Sequence, residues 1–147
     1  MSDFGAAPAQ SMGLQFWRVS QLWQTKIAEV LQTYNLTHTQ FVILATVKWH
    51  EEQSRQPSQN DIAQMSKIDK MTLSKAVRKL EAAGLVRRTR SEADGRSVLL
   101  ELSETSGDSL TAAIGDVERV DRDFFDRLSH GDSYDLLKIL SLFGNST

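Results

Sequence analysis

Lys70, Met71, Thr72, Ser74, Lys75, Arg78 and Lys79 lie within one ten-residue stretch. Interleaved with them, Leu73, Ala76, Val77 and Leu80 fall at i, i+3, i+4 and i+7, the spacing of one buried helical face. The basic and hydroxyl residues are thereby left on the other side. Ammonium and guanidinium groups neutralise phosphates, and small hydroxyls reach phosphate oxygens or base edges. Such a face suits contact with nucleic acid, and its N-terminal half is the richer half. On a lone helix the same pattern is an ordinary solvated face, so the neighbouring segments must decide. Met71 has two readings: contact with a thymine methyl, or packing under the turn that starts the helix.

Upstream, Ser58 and Asp61 have the S-x-x-D spacing of a capping box, opening a short helix with Ile62, Ala63 and Met65 on its apolar side. Asp69 is a good N-cap for the basic helix, and Gly84 stands where a left-handed C-terminal cap is usual. Downstream, Val86–Ser91 and Ser97–Leu102 are β-compatible, with Val98, Leu100 and Leu102 alternating onto one face. Glu92-Ala93-Asp94-Gly95-Arg96 is the polar turn between them, and Arg87, Arg88 and Arg90 sit on the first strand. Two short helices followed by a hairpin form the plan of a winged helix-turn-helix, in which the second helix enters the major groove of double-stranded DNA. An arginine at the hairpin tip can lie in the minor groove. The other reading of the tip is a solubilising turn in which Asp94 and Arg96 pair only with each other.

Taken together, these segments resemble the MarR family of bacterial transcriptional regulators. The resemblance rests on Leu36-Thr37-His38-Thr39-Gln40-Phe41, Ile62-Ala63, Asp69-Lys70-Met71-Thr72-Leu73-Ser74-Lys75, Leu80-Glu81-Ala82-Ala83-Gly84-Leu85-Val86-Arg87-Arg88, Asp94-Gly95-Arg96 and Leu102-Ser103-Glu104-Thr105-Ser106-Gly107. It covers the chain from about Leu14 onward. It implies that Asp94 orients the wing arginine Arg96. The chain departs from the family pattern in the longer connection Glu51–Pro57 and in Met71, where a small polar residue is common.

A length of 147 residues fits one domain, and 40% apolar residues supply a core. With no cysteine, disulfides, cysteine–zinc sites and thiol redox sensing are excluded. A net charge of −2 conceals a strong asymmetry. Nine basic and four acidic residues lie between Lys67 and Arg96, against eight basic and fifteen acidic elsewhere. Basic charge thus collects on the candidate reading element. The start of the chain lacks the basic and apolar blocks of a signal peptide, and no apolar run is long enough to span a membrane. The expected location is the cytoplasm.

The expected fold is mainly α with a small β-hairpin: a winged helix-turn-helix flanked by N- and C-terminal dimerisation helices. Residues 1–13 read as a flexible tail and 14–36 as a dimerisation helix. Residues 37–102 read as the DNA-binding region, and 103–147 as C-terminal dimerisation helices. Phe16, Val19, Trp23, Ile27, Val30 and Tyr34 make a stripe on the first helix that Trp17, Leu22 and Leu31 widen. A helix apolar over so much of its surface is buried from more than one side. A two-fold homodimer would supply the second side; a monomer with a fuller core is the other option. Thr37 and Gln40 form a second capping box. Ser103 is expected to cap a long helix reaching about Leu128, striped by Ala113, Val117, Val120, Phe124 and Leu128. Ser129 and Asp132 cap a last helix with Leu136, Ile139, Leu140 and Phe143 on its apolar side. The run from Asp116 to Asp123 alternates in charge and reads as a solvated face.

The resemblance further implies a repressor that binds a near-palindromic operator and is released by a small aromatic or acidic ligand. Arg18, His38 and Arg96 are the ligand candidates, with His38 otherwise a surface residue in a helix cap. His38, His50 and His130 are scattered, so no metal site is expected, and no cofactor. No nucleophile elbow, phosphate-binding glycine loop or paired-carboxylate constellation points to an enzyme. The competing reading is a winged helix used for protein contacts without specific DNA binding; Lys75, Arg78 and Arg96 argue against it. The DNA-contact set is Lys70, Met71, Thr72, Ser74, Lys75, Arg78, Lys79, Arg88, Asp94 and Arg96.

Overall fold

The computed structural model describes residues 10–93 and 95–144. Most of the tail segment 1–13, and Asp94 in the wing, therefore lie outside the described residues. The elements run α1 (Met12–Gln32), α2 (His38–Glu52), α3 (Gln59–Ser66), α4 (Lys70–Ala82), β1 (Val86–Arg90), β2 (Val98–Leu102), a 3-10 turn (Glu104–Ser106), α5 (Gly107–Phe125) and α6 (His130–Gly144). This is the mainly helical winged helix-turn-helix expected from the sequence. Among the described residues no helix is long and apolar enough to cross a membrane.

Local signals set most boundaries. Thr37 and Gln40, and Ser58 and Asp61, form reciprocal capping boxes at the starts of α2 and α3. The three-residue turn Lys67–Asp69 opens with Lys67 in the left-handed conformation, φ 64°. Gly84, at φ 77°, ends α4: its N–H reaches the Glu81 carbonyl at 3.0 Å and the Leu85 N–H reaches Leu80 at 2.9 Å. These paired bonds make a Schellman cap, which satisfies the last helical carbonyls.

Several boundaries differ from expectation; α5, for one, ends at Phe125 rather than near Leu128. The first helix begins at Met12, because the Ser11 hydroxyl accepts the Leu14 N–H at 3.1 Å. Gly13 is tolerated in that first turn, where backbone N–H groups have no helical partner anyway. Ser103 makes no capping bond to α5; a 3-10 turn intervenes and its hydroxyl goes to Gly84 instead. The connection before α3 is more than a loop. Pro57 is buried, its carbonyl accepts the Leu100 N–H at 2.9 Å, and Ser58 bridges Leu99. It thus adds a short third edge to the hairpin.

The hairpin is antiparallel, with Val86 opposite Leu102, Arg88 opposite Leu100 and Arg90 opposite Val98. Leu100 is fully buried and joins Ile43, Leu44, Val47, Ile62, Leu73, Val77 and Leu80 in one core. Each such side chain contributes about 1.5–3 kcal/mol when taken from water. The same core continues through Ile27 and Leu31 of α1 to Leu110 and Ala113 of α5, so the winged helix-turn-helix shares one interior with α1 and α5.

The arms are clasped by polar bonds as well. Trp23 donates its indole N–H to Asp121 at 2.8 Å, and the Tyr34 hydroxyl donates to Asp116, which also accepts from Arg119. The alternating charge run is therefore not simply a solvated face: two of its carboxylates hold aromatics, Trp23 on α1 and Tyr34 in the turn that follows it. The Tyr34 hydroxyl bond, then Arg119, holds the Asp116 carboxyl below the usual range.

Candidate nucleic-acid interface

On α4, Leu73, Val77 and Leu80 are buried. Helical geometry then puts Met71, Lys75 and Arg78 on the opposite side, and all three are exposed. Met71 is 79% exposed, which overturns the reading that it packs under the helix turn. Lys70 is exposed in the first turn and Ser74 is half-buried on one flank. Thr72 and Lys79 lie on the other flank. There they line a cleft of about 320 Å³ with Lys75, Thr37, Thr39 and Gln40 from the start of α2. The sequence reading missed that contribution from α2, because only the fold sets its first turn beside α4.

Asp69 does more than cap α4. Its carboxylate accepts the Thr72 N–H at 2.9 Å and the Thr72 hydroxyl at 2.7 Å. The backbone bond first, and the hydroxyl second, hold its carboxyl below the usual range. The D-x-x-T spacing was the available signal for the second bond.

In the wing, Arg88 bonds Glu81 of α4 through Nε at 3.1 Å, and Arg87 pairs with Glu101 at 3.0 Å. Arg88 thus braces the hairpin against α4, a role in addition to the phosphate contact expected of it. Arg90, which the sequence reading placed on the strand without a role, donates to the Gly95 carbonyl at 2.7 Å and so supports the turn that carries Arg96. Glu51 accepts the Leu102 N–H at 3.0 Å, tying the end of α2 to β2.

The ligand candidates are dispersed over three elements. Arg18 is exposed on α1 and Arg96 sits in the wing turn. His38 is no simple surface cap: it is half-buried, its ring 5.2 Å from that of Trp23, and desolvation lowers its pKa from the ordinary 6.5. Trp49 is not a core residue; it is partly exposed, with the Arg55 guanidinium 5.2 Å from its ring centre.

A basic, exposed second helix, a three-residue turn before it and a braced hairpin after it define a DNA-binding winged helix-turn-helix. A family model described as transcriptional regulator SarA/Rot matches residues 25–113. The uncharacterised HTH-type transcriptional regulator YdcH of Bacillus subtilis is 37% identical over 120 residues, 82% of each chain. Among solved structures, Bordetella bronchiseptica BpsR superposes with a TM-score of 0.84 over 95% of this chain and 96% of its own, at 19% identity. That structure concerns regulation of BpsR DNA binding by 6-hydroxynicotinic acid. Sco3205, a MarR family transcriptional regulator from Streptomyces coelicolor solved in complex with DNA, gives 0.80 over 87% of this chain and 80% of its own, at 24% identity. The chain belongs to the MarR/SarA winged helix-turn-helix family of transcriptional regulators.

Proposed function

We propose that the protein is a homodimeric repressor that binds a near-palindromic operator in the cytoplasm and releases it when a small aromatic or acidic ligand binds. The observation that carries this reading is the exposed row Met71, Lys75 and Arg78 on the side of α4 opposite its buried residues. Lys70, Met71, Thr72, Ser74, Lys75 and Arg78 work in the major groove. Lys79 and Arg88 meet phosphates, and Arg96 enters the minor groove. Residues 37–102 are the reading element, while 14–36 and 103–147 form the dimer arm.

Dimerisation is supported by apolar surface that the single chain leaves open. Phe16, Trp17, Val19 and Leu22 are exposed on the first half of α1, as are Leu137, Ile139, Leu140, Leu142 and Phe143 on α6, which has no buried residue. A second copy covers these faces and sets two recognition helices about one DNA turn apart, roughly 34–36 Å. Ligand response is supported by the likeness to BpsR; Arg18, His38 and Arg96 are the residues assigned to the effector.

The test is anisotropy on labelled duplex across a salt series, with the oligomeric state followed by sedimentation. A dimer should bind with affinity falling steeply with salt, by about 0.9 log units per log unit for each phosphate neutralised. Lys75→Ala and Arg78→Ala should weaken binding and leave the dimer intact. If both variants bind like the parent, the recognition-helix assignment is wrong.

A further inference from the structure

We propose that the Asp69 carboxylate and the Thr72 hydroxyl together read one exocyclic amino group in the major groove, N4 of cytosine or N6 of adenine, and hold no phosphate. The inference rests on the proposed DNA-binding role of α4 and adds what that helix selects.

The argument is a count of protons. Asp69 Oδ1 accepts the Thr72 N–H at 2.9 Å, and Oδ2 lies 2.7 Å from Thr72 Oγ1. The Asp69 carboxyl is held ionised by those same bonds, so it is an acceptor only. The hydroxyl must therefore be the donor, and its single proton is spent. What Thr72 turns outward is two lone pairs beside an anion, and both residues are exposed. Within a face that Lys70, Lys75, Arg78 and Lys79 make strongly donating, this one spot offers acceptors alone.

DNA presents few groups that satisfy such a spot. Phosphate oxygens, guanine O6 and N7, adenine N7 and thymine O4 are all acceptors; only cytosine N4 and adenine N6 donate in the major groove. A phosphate or a guanine edge against Asp69 would leave an ionised carboxylate desolvated and facing another acceptor, which is costly. Turning the Thr72 hydroxyl outward to donate would remove a bond from that same carboxylate. The pair therefore works by attraction to an amino group and by rejection of the alternatives.

The test is selection of bound duplexes from a random library at fixed salt. The proteins are the parent, Asp69→Asn, Thr72→Val and Thr72→Ser. Asparagine caps a helix as well as aspartate does, but it brings an amide donor. The parent should fix C or A at one position of each half-site. Asp69→Asn should move that position toward G or T, Thr72→Val should broaden it, and Thr72→Ser should retain it. A second measurement keeps the parent protein unaltered. Replacing the selected cytosine by 2-pyrimidinone, or the adenine by purine, removes only the amino group and should weaken binding about tenfold, the scale of one lost base contact. A parent motif that all three variants recover unchanged, or an analogue duplex bound like the natural one, overturns this inference alone. A parent that enriches no motif overturns the DNA-binding proposal and this inference with it.

Discussion

The Ser103 hydroxyl donates to the Gly84 carbonyl at 2.5 Å, while the Ser103 N–H reaches the Leu85 carbonyl at 3.0 Å. The residue that ends α4 is thereby tied to the segment that starts the α5 arm. Thr105 Oγ1 lies 3.3 Å from the same Gly84 carbonyl. The C-terminal cap of α4 and the segment leading into α5 are thus held together at one carbonyl.

Ser103→Ala should lower stability by about 1 kcal/mol, the net worth of a typical hydrogen bond. The loss is held to that size because Thr105 still reaches the carbonyl. A urea midpoint equal to that of the parent would show that the Ser103 bond contributes nothing.

Gly84→Ala should cost about 1–2 kcal/mol, because φ 77° disfavours any residue with a Cβ. An added Cβ meets nothing within 4 Å, so the penalty is conformational rather than steric. Gly84→Asn should therefore be milder, since Asn tolerates this region. Thermal melts of the two variants check the order.

His38 makes stability depend on pH in a defined direction. Burial lowers its folded pKa below 6.5, so the unfolded chain binds the proton more readily. Its contribution is complete above about pH 6.5. It is lost as pH falls from there through the folded value. His38→Gln should flatten the stability curve in that window and leave it unchanged above. An unaltered slope in the variant would assign the effect to another group.

Lys79→Ala should weaken binding by a similar factor on every duplex and reduce the salt slope by about one, the signature of a phosphate contact. Arg78→Ala should instead change the selected sequence. Competition with random duplex separates the two outcomes.

Much of this arrangement was legible in the sequence, and the reasons are local. Capping at Thr37, Ser58 and Asp69 and the left-handed turn at Gly84 are governed by residues a few positions apart. The face of α4 follows from helical periodicity alone. What escaped were bonds between distant segments. Neither the bonds from Trp23 to Asp121 and from Tyr34 to Asp116 nor the Pro57 edge leaves a pattern in adjacent residues. The same holds for the bonds from Arg88 to Glu81 and from Arg90 to Gly95, which exist only once the hairpin has folded onto α4. Ser103 was misassigned for a related reason: its spacing fits a helix cap, but the Gly84 carbonyl lies within reach and takes the hydroxyl.

The most direct test of the central claim is the base sequence that the parent protein selects, compared with that selected by Arg96→Ala. The account predicts a two-fold symmetric motif whose half-sites are centred about 10 base pairs apart, with enrichment reduced in the variant. An asymmetric motif, or a symmetric one that Arg96→Ala recovers with equal strength, would contradict the dimeric winged-helix reading set out above.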